Sequence, residues 1–208
     1  GERGLWFKMS FFEGSARVPL MISASSMGSQ VINSPVSTID LCPTICDLAG
    51  ITMSEVTPWI TGESLCGIMR GEKRQSPVLM EYAAEASHAP MVCIRKDQWK
   101  YIFCSLDPEQ LFDLDKDPHE LDNLIEKTDY KSTVQSFRDT IESTWNLDRF
   151  DQDVRESQAK RKVVYEALRK GGYYPWDFQP LKQASERYMR NHMDLNILES
   201  SQRYPSND

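Results

Sequence analysis

Histidine is scarce in this chain: His88, His119 and His192 are the three among 208 residues. The five cysteines, Cys42, Cys46, Cys66, Cys93 and Cys104, are odd in number and contain no C-x-x-C. A zinc site legible from spacing is thereby excluded, since it would need more Cys or His close by. Neither G-x-S-x-G nor H-E-x-x-H occurs, so the two commonest hydrolase signatures are also missing. No apolar run reaches the roughly 20 residues of a membrane span, and a membrane partner is not expected. The chain opens on Gly1 instead of Met, without a signal peptide, and reads as a piece of something longer. The thiols read as five buried, reduced cysteines of a cytoplasmic protein.

What is there describes a folding chain of ordinary composition, 40% hydrophobic and 26% charged, with a net charge of -7. Residues 1–104 carry 9 basic and 10 acidic side chains, and residues 105–208 carry 15 and 21. An acidic C-terminal half argues against a phosphate-backbone partner, because counterion release needs clustered Lys and Arg.

Apolar Val18–Ala24 ("VPLMISA") predicts a buried strand of a larger sheet. In "SPVSTIDLCPTICDLAGI", Ile39, Cys42, Ile45, Cys46 and Ala49 recur at helical spacing with Gly50 as the stop. A short helical turn is expected in "TGESLCGIMRG". After Lys73, "PVLMEYA", "MVCIRKDQWKYIFC" and "EQLFDL" predict four strands, the second and third joined by a tight turn at Lys96–Gln98. "DPHELDNL" reads as a turn and a short helix, followed by a helix from Lys131 to Trp145 with Val134, Phe137, Ile141 and Trp145 on one face. A charged helix over Gln152–Arg169 is expected to break at Gly171-Gly172, ahead of "YYPWDFQP" and a last helical stretch, Ala184 to Leu198.

The run "GLWFKMSFFEGSARVPL" sets one lysine, Lys8, among Leu5, Trp6, Phe7, Met9, Phe11 and Phe12. By itself the run leaves two readings open. Either the lysine stem lies over the aromatics with its head in water, or the ammonium faces a pocket that holds an anion. Asp-rich "DLDKDPHELDN" lacks the glycine and the terminal glutamate spacing of a calcium loop, and reads as a strand end, a turn and a cap.

Three stretches occur in a specific order: "KMSFFEGSARVPLMI", "STIDLCPTICDLAGI" and "EQLFDLDKDPHELDNL". Together they resemble the sulfatase family, whose patterns run K-x-x-x-[YF]-E-G-x-x-R-x-P, D-[LI]-x-P-T and L-[YF]-D-L-x-x-D-P-x-E-x-x-N-L. The segments "GERGLWFKMSFFEGSARVPLM" and "GGYYPWDFQPLKQASERYMRNHMDLN" resemble the choline sulfatase branch, which extends the likeness over nearly the whole chain.

That resemblance implies the C-terminal part of an alkaline-phosphatase-like α/β fold. Residues 1–72 would end the catalytic domain, 73–147 would form a small α+β domain with an antiparallel four-stranded sheet, and 148–208 would be a helical tail. The activity implied is hydrolysis of a sulfate ester, choline O-sulfate. The family's C/S-x-P-S-R motif, whose Cys or Ser becomes formylglycine, is absent here, as is its Asp-His metal pair. Formylglycine and the divalent cation, calcium by resemblance, are therefore expected upstream, and the piece alone is expected to be inactive. Lys8 takes the sulfate-binding role. Charge developing on the sulfate oxygens needs cations in a dry site. Arg17 is expected to pair with Glu13, with Trp6 and Phe7 packing. The trimethylammonium has no N–H and calls for aromatic faces and carboxylates; Glu85, Glu81 and Tyr82 are the local candidates. The tail is expected to dock on a neighbouring subunit, carrying Asp194 or Glu199 toward its pocket and making a homo-oligomer. An arylsulfatase, a phosphonate ester hydrolase and a non-catalytic interaction module are the competing readings.

Overall fold

Successive side chains between residues 78 and 113 point to opposite faces of the sheet on which the rest is mounted, and its central strands are buried on both. The computed structural model describes residues 2–4, 8–23, 28–52, 59–84 and 87–170. It falls into two compact units, Gly1–Val154 and Arg155–Asp208. In the first unit come a single helical turn α1 (Glu13–Ala16), helix α2 (Leu41–Leu48) entered through a 3-10 turn at Thr38–Asp40, and a short α3 (Cys66–Met69). Strands β1 (Val78–Tyr82), β2 (Met91–Lys96), β3 (Trp99–Cys104) and β4 (Asp107–Asp113) follow, then helix α4 (Lys131–Thr144) and helix α5 (Leu147–Arg169). Helix α5 runs on into the second unit, whose described residues, 155–170, are helical to Arg169.

The four strands form one antiparallel sheet, as the sequence reading expects, and their order is β1-β2-β3-β4. Asp97 makes the two-residue β2–β3 turn in the left-handed region at φ 49°, which Asp tolerates better than most residues. One face presents Val92, Ile94, Tyr101 and Leu111, which pack with Val134, Phe137 and Ile141 of α4 and with Leu124. The Tyr101 ring stacks on Phe137 at 5.4 Å between centroids. Burying each of these large side chains contributes about 1.5–3 kcal/mol, so α4 is held by its apolar stripe. The opposite face carries Cys93, Lys100 and Phe112, all buried.

Helix α2 is organised by a buried carboxylate. Asp40 Oδ2 accepts the Ser37 N–H at 2.8 Å while the Ser37 hydroxyl accepts from Ile39, a reciprocal cap. The same Asp40 side chain, fully buried, accepts the Glu63 N–H at 2.9 Å and the Arg74 guanidinium at 2.7 Å. Thr44 Oγ1 donates to the Asp40 carbonyl and accepts the Leu65 N–H. This clamp brings Gly62 so close to Ile39 that a Cβ would lie 2.1 Å from the Ile39 carbonyl oxygen, which leaves room for glycine alone.

Several local expectations are corrected. Residues 18–23 are not a strand: Val18, Leu20 and Met21 are exposed, Met21 by 92%. No described strand runs beside them, and an unpaired strand has nowhere to place its backbone hydrogen bonds. Helix α2 forms where expected and stops at Gly50 with φ 70°, yet it buries Pro43 and Thr44 while Ile39, Ile45 and Leu48 are exposed. The polar clamp, not the apolar stripe, decides which face turns inward. "DPHELDNL" makes turns and no helix, because Asn123 ties it to β4: its Oδ1 accepts the Leu111 N–H and its Nδ2 donates to the Glu109 carbonyl. Helix α5 begins at Leu147, five residues before the expected Gln152. Cys66, Cys93 and Cys104 are buried, but Cys42 is exposed and Cys46 half-buried on α2. "YYPWDFQP" and the Ala184–Leu198 stretch lie outside the described residues.

Asp40→Ala should lower the free energy of unfolding by about 3–5 kcal/mol, because it leaves the Arg74 cation buried without its partner. Urea denaturation followed by circular dichroism measures this, and a loss below about 1 kcal/mol would contradict the clamp.

Candidate functional site

Phe11, Phe12 and Glu13 lie on the sheet face opposite α4. Phe11 is buried, and Phe12 meets Phe112 edge-on at 6.2 Å between ring centroids. Beneath them Lys100 projects from β3 and is 1% exposed. Its ammonium has three hydrogens and finds three acceptors: the Phe11 carbonyl at 2.8 Å, Glu13 Oε1 at 2.5 Å and Glu120 Oε1 at 2.8 Å. Glu120 closes the circuit, since its Oε2 accepts the Glu13 N–H at 2.7 Å. The two carboxylates satisfy a charge that could not otherwise be buried.

A second anchor precedes the lysine of interest. Arg3 donates to the carbonyls of His119 and Glu120 and lies 4.1 Å over the Phe12 ring. Glu120 itself sits in the left-handed region at φ 56°, a conformation costing on the order of 1 kcal/mol for a residue with a Cβ. Its contacts to Arg3, Glu13 and Lys100 hold it there. Cys93, also on this face, has its thiol pushed well above the usual range, first by burial and less by the two glutamates. It is a protonated core residue, not a nucleophile.

Between these anchors stands Lys8, exposed and without an ion-pair partner among the described residues. Arg17 is exposed as well, and Glu13, expected to pair with it, is engaged by Lys100 instead. Trp6 and Phe7 lie outside the described residues, as do Glu85, Asp194 and Glu199. Glu81 is on β1 and accepts the Trp145 indole N–H at 2.6 Å, so its carboxylate already has a partner. Tyr82, at the end of the same strand, is half-buried. A groove of about 560 Å³ is lined by Phe103, Glu109, Arg138 and Trp145. Its inner carboxylate, Glu109, is held by the Tyr101 hydroxyl at 2.5 Å and by Arg138 at 3.0 Å.

Among the described residues no three His, Cys, Asp or Glu side chains are grouped to hold a metal ion. The described residues do not fit a divalent cation. Sequence reasoning missed Lys100, because in "WKYIFC" alternation places it opposite Trp99 and Tyr101, on a face that would ordinarily be wet. The one signal available was the acid beside two phenylalanines, Glu13, which sequence reasoning gives to Arg17.

Two family models tile the chain. One, described as N-sulphoglucosamine sulphohydrolase, C-terminal, matches residues 1–146, and one described as choline sulfatase enzyme C terminal matches residues 152–204. A choline-sulfatase of Rhizobium meliloti (strain 1021) is 59% identical over 99% of this chain and 41% of its own length. Arylsulfatase K of Gallus gallus is 32% identical over 79% of this chain and 32% of its own. The chain thus spans about two-fifths or less of the length of these relatives. The solved structure of BT4656 in complex with its substrate D-glucosamine-2-N,6-O-disulfate aligns with a TM-score of 0.55 at 24% identity, covering 69% of this chain and 31% of the other. That likeness shows the fold: the C-terminal part of the alkaline-phosphatase-like sulfatase architecture, with its four-stranded antiparallel sheet and helices.

Glu120→Ala removes acceptors from both Lys100 and the Glu13 amide. It should cost about 3–5 kcal/mol of stability, whereas exposed Lys8→Ala should stay within about 0.5 kcal/mol. Parallel urea titrations compare the two; equal losses would contradict the assignment of the load to the buried site.

Proposed function

Since the chain belongs to the sulfatase family, we propose that it is the C-terminal part of a hydrolase that cleaves choline O-sulfate to choline and sulfate. The observation that carries this is the 59% identity to a choline-sulfatase over 99% of the chain, together with the choline sulfatase C-terminal match at residues 152–204. Arylsulfatase K relatives are 27% to 35% identical over shorter or more divergent matches, which favours the small cationic ester over an aryl sulfate.

In this reading Lys8 contributes the cation that meets the sulfate group. Cleavage of a sulfate ester leaves negative charge on the nonbridging oxygens and on the departing oxygen, and a fixed ammonium stabilises that charge where water is excluded. What supports the role is the position of Lys8: a cation with no ion-pair partner among the described residues, on a segment anchored by Arg3 before it and by Phe11 and Glu13 after it. In the chain itself Lys8 is exposed, so the dry surroundings must come from other parts of the enzyme. The formylglycine nucleophile and a divalent cation, calcium in this reading, belong to those parts as well, and the chain alone is inactive.

At the other end of the substrate, Glu85 is the carboxylate assigned to the trimethylammonium group, with Tyr82 as the candidate aromatic face. Glu81, engaged by Trp145, is the weaker candidate. The tail beyond Gly172 serves as the subunit-linking arm of a homo-oligomer, with Asp194 carried toward the neighbouring pocket. Free cysteines at all five positions suit a reducing, cytoplasmic setting.

In the full-length enzyme, Lys8→Ala should lower kcat/KM for choline sulfate by about 100- to 1,000-fold with an unchanged melting temperature. Turnover at the wild-type level would remove the sulfate role. Glu85→Gln should raise KM for choline sulfate by about tenfold, the equivalent of about 1.4 kcal/mol, and leave KM for an uncharged aryl sulfate alone. Steady-state kinetics on the two substrates decide this, and a parallel rise on both would end the cation-binding assignment.

A further inference from the structure

Resting on the reading of Lys8 as the sulfate-facing cation, we propose that Lys100 is a positioning residue for it: the buried Lys100–Glu13–Glu120 triad holds the segment carrying Lys8 where the reacting anion sits.

Lys100 does not touch the anion itself. It is 1% exposed, and each of its three N–H donors already has an acceptor. Its effect passes through backbone. One of those acceptors is the Phe11 carbonyl, and the triad's Glu120 also accepts the Glu13 N–H. The chain is therefore held by directed bonds three and five residues after Lys8. On the other side, five residues before it, Arg3 is bound to the carbonyls of His119 and Glu120. Glu120 is common to both anchors. Three residues span at most about 11 Å, so the place of the Phe11–Glu13 backbone bounds where Lys8 can reach.

The choice of chemistry supports positioning over plain packing. A buried ion cluster is often no more stabilising than apolar residues of the same volume. Greasy contacts would hold the segment without fixing its direction. Hydrogen bonds to a carbonyl and an amide fix both place and orientation, and misplacement of a catalytic group by about 1 Å costs roughly 100-fold in rate. The three contributors come from residues 11–13, 100 and 120, so the sheet dictates where the Lys8 segment sits.

The test is a double-mutant cycle in the full-length enzyme, with kcat and KM for choline sulfate measured per folded molecule and melting temperature recorded for each variant. Lys100→Met should lower kcat by about 10- to 100-fold with KM shifted by less than about threefold. In a Lys8→Ala background the same change should cost less than about threefold more. Glu13→Gln keeps the shape and one acceptor; it should give about a 3- to 10-fold loss with the same dependence on Lys8, and it carries the cycle should Lys100→Met not fold. An equal loss in both backgrounds, or no loss with Lys8 intact, overturns positioning. Should Lys8→Ala alone leave turnover intact, the sulfate role of Lys8 fails first and this inference falls with it. A Lys8→Ala defect joined to additive losses sinks this inference alone.

Discussion

A single buried ammonium organises this chain. Lys100 stands in the middle of a sheet face beside Cys93 and Phe112, and two glutamates from distant parts of the sequence come to meet it. Removing such a charge from water is costly, and the cost is offset only when every donor is satisfied. Here all three are, by two carboxylates and one carbonyl. Once Lys100 is committed to that face, the Phe11–Glu13 segment and the Glu120 turn have one place to go.

The three stretches that resemble sulfatase patterns share a physical role. "FFEG" supplies Glu13 to Lys100. In "STIDLCPT", Asp40 binds Arg74 and the Glu63 amide, and Thr44 receives the Leu65 amide. From "DPHELDNL" come Glu120 for the triad and Asn123 for the edge of β4. In each, a polar side chain makes a bond to a partner far along the chain, a lysine ammonium in the first and backbone amides in the other two. Such bonds are directional, and leaving one partner unmet in the interior costs about 1–3 kcal/mol or more. They set the path of the loops between the regular elements.

Packing is uneven along the chain. From β1 to α4 the apolar residues close on one another in a continuous core. Between Val18 and Trp59, by contrast, Val18, Met21, Val31, Ile45 and Trp59 are exposed. The chain spans 41% of the length of its choline-sulfatase relative.

From the sequence alone, periodicity located the four strands, the β2–β3 turn and the α4 stripe of Val134, Phe137 and Ile141, because both alternation and helical spacing are local properties. The ordered family-like stretches identified the kind of protein and singled out Lys8. Tertiary structure decided what those local rules could not reach. Lys100 turns inward because Glu13 and Glu120 are waiting there, α2 turns its polar clamp inward and leaves Ile45 outside, and Glu13 leaves its near neighbour Arg17 for a lysine 87 residues away. In each case the deciding partner lies far along the chain, and an ionic or hydrogen-bonded match in the interior outweighs a preference set by spacing.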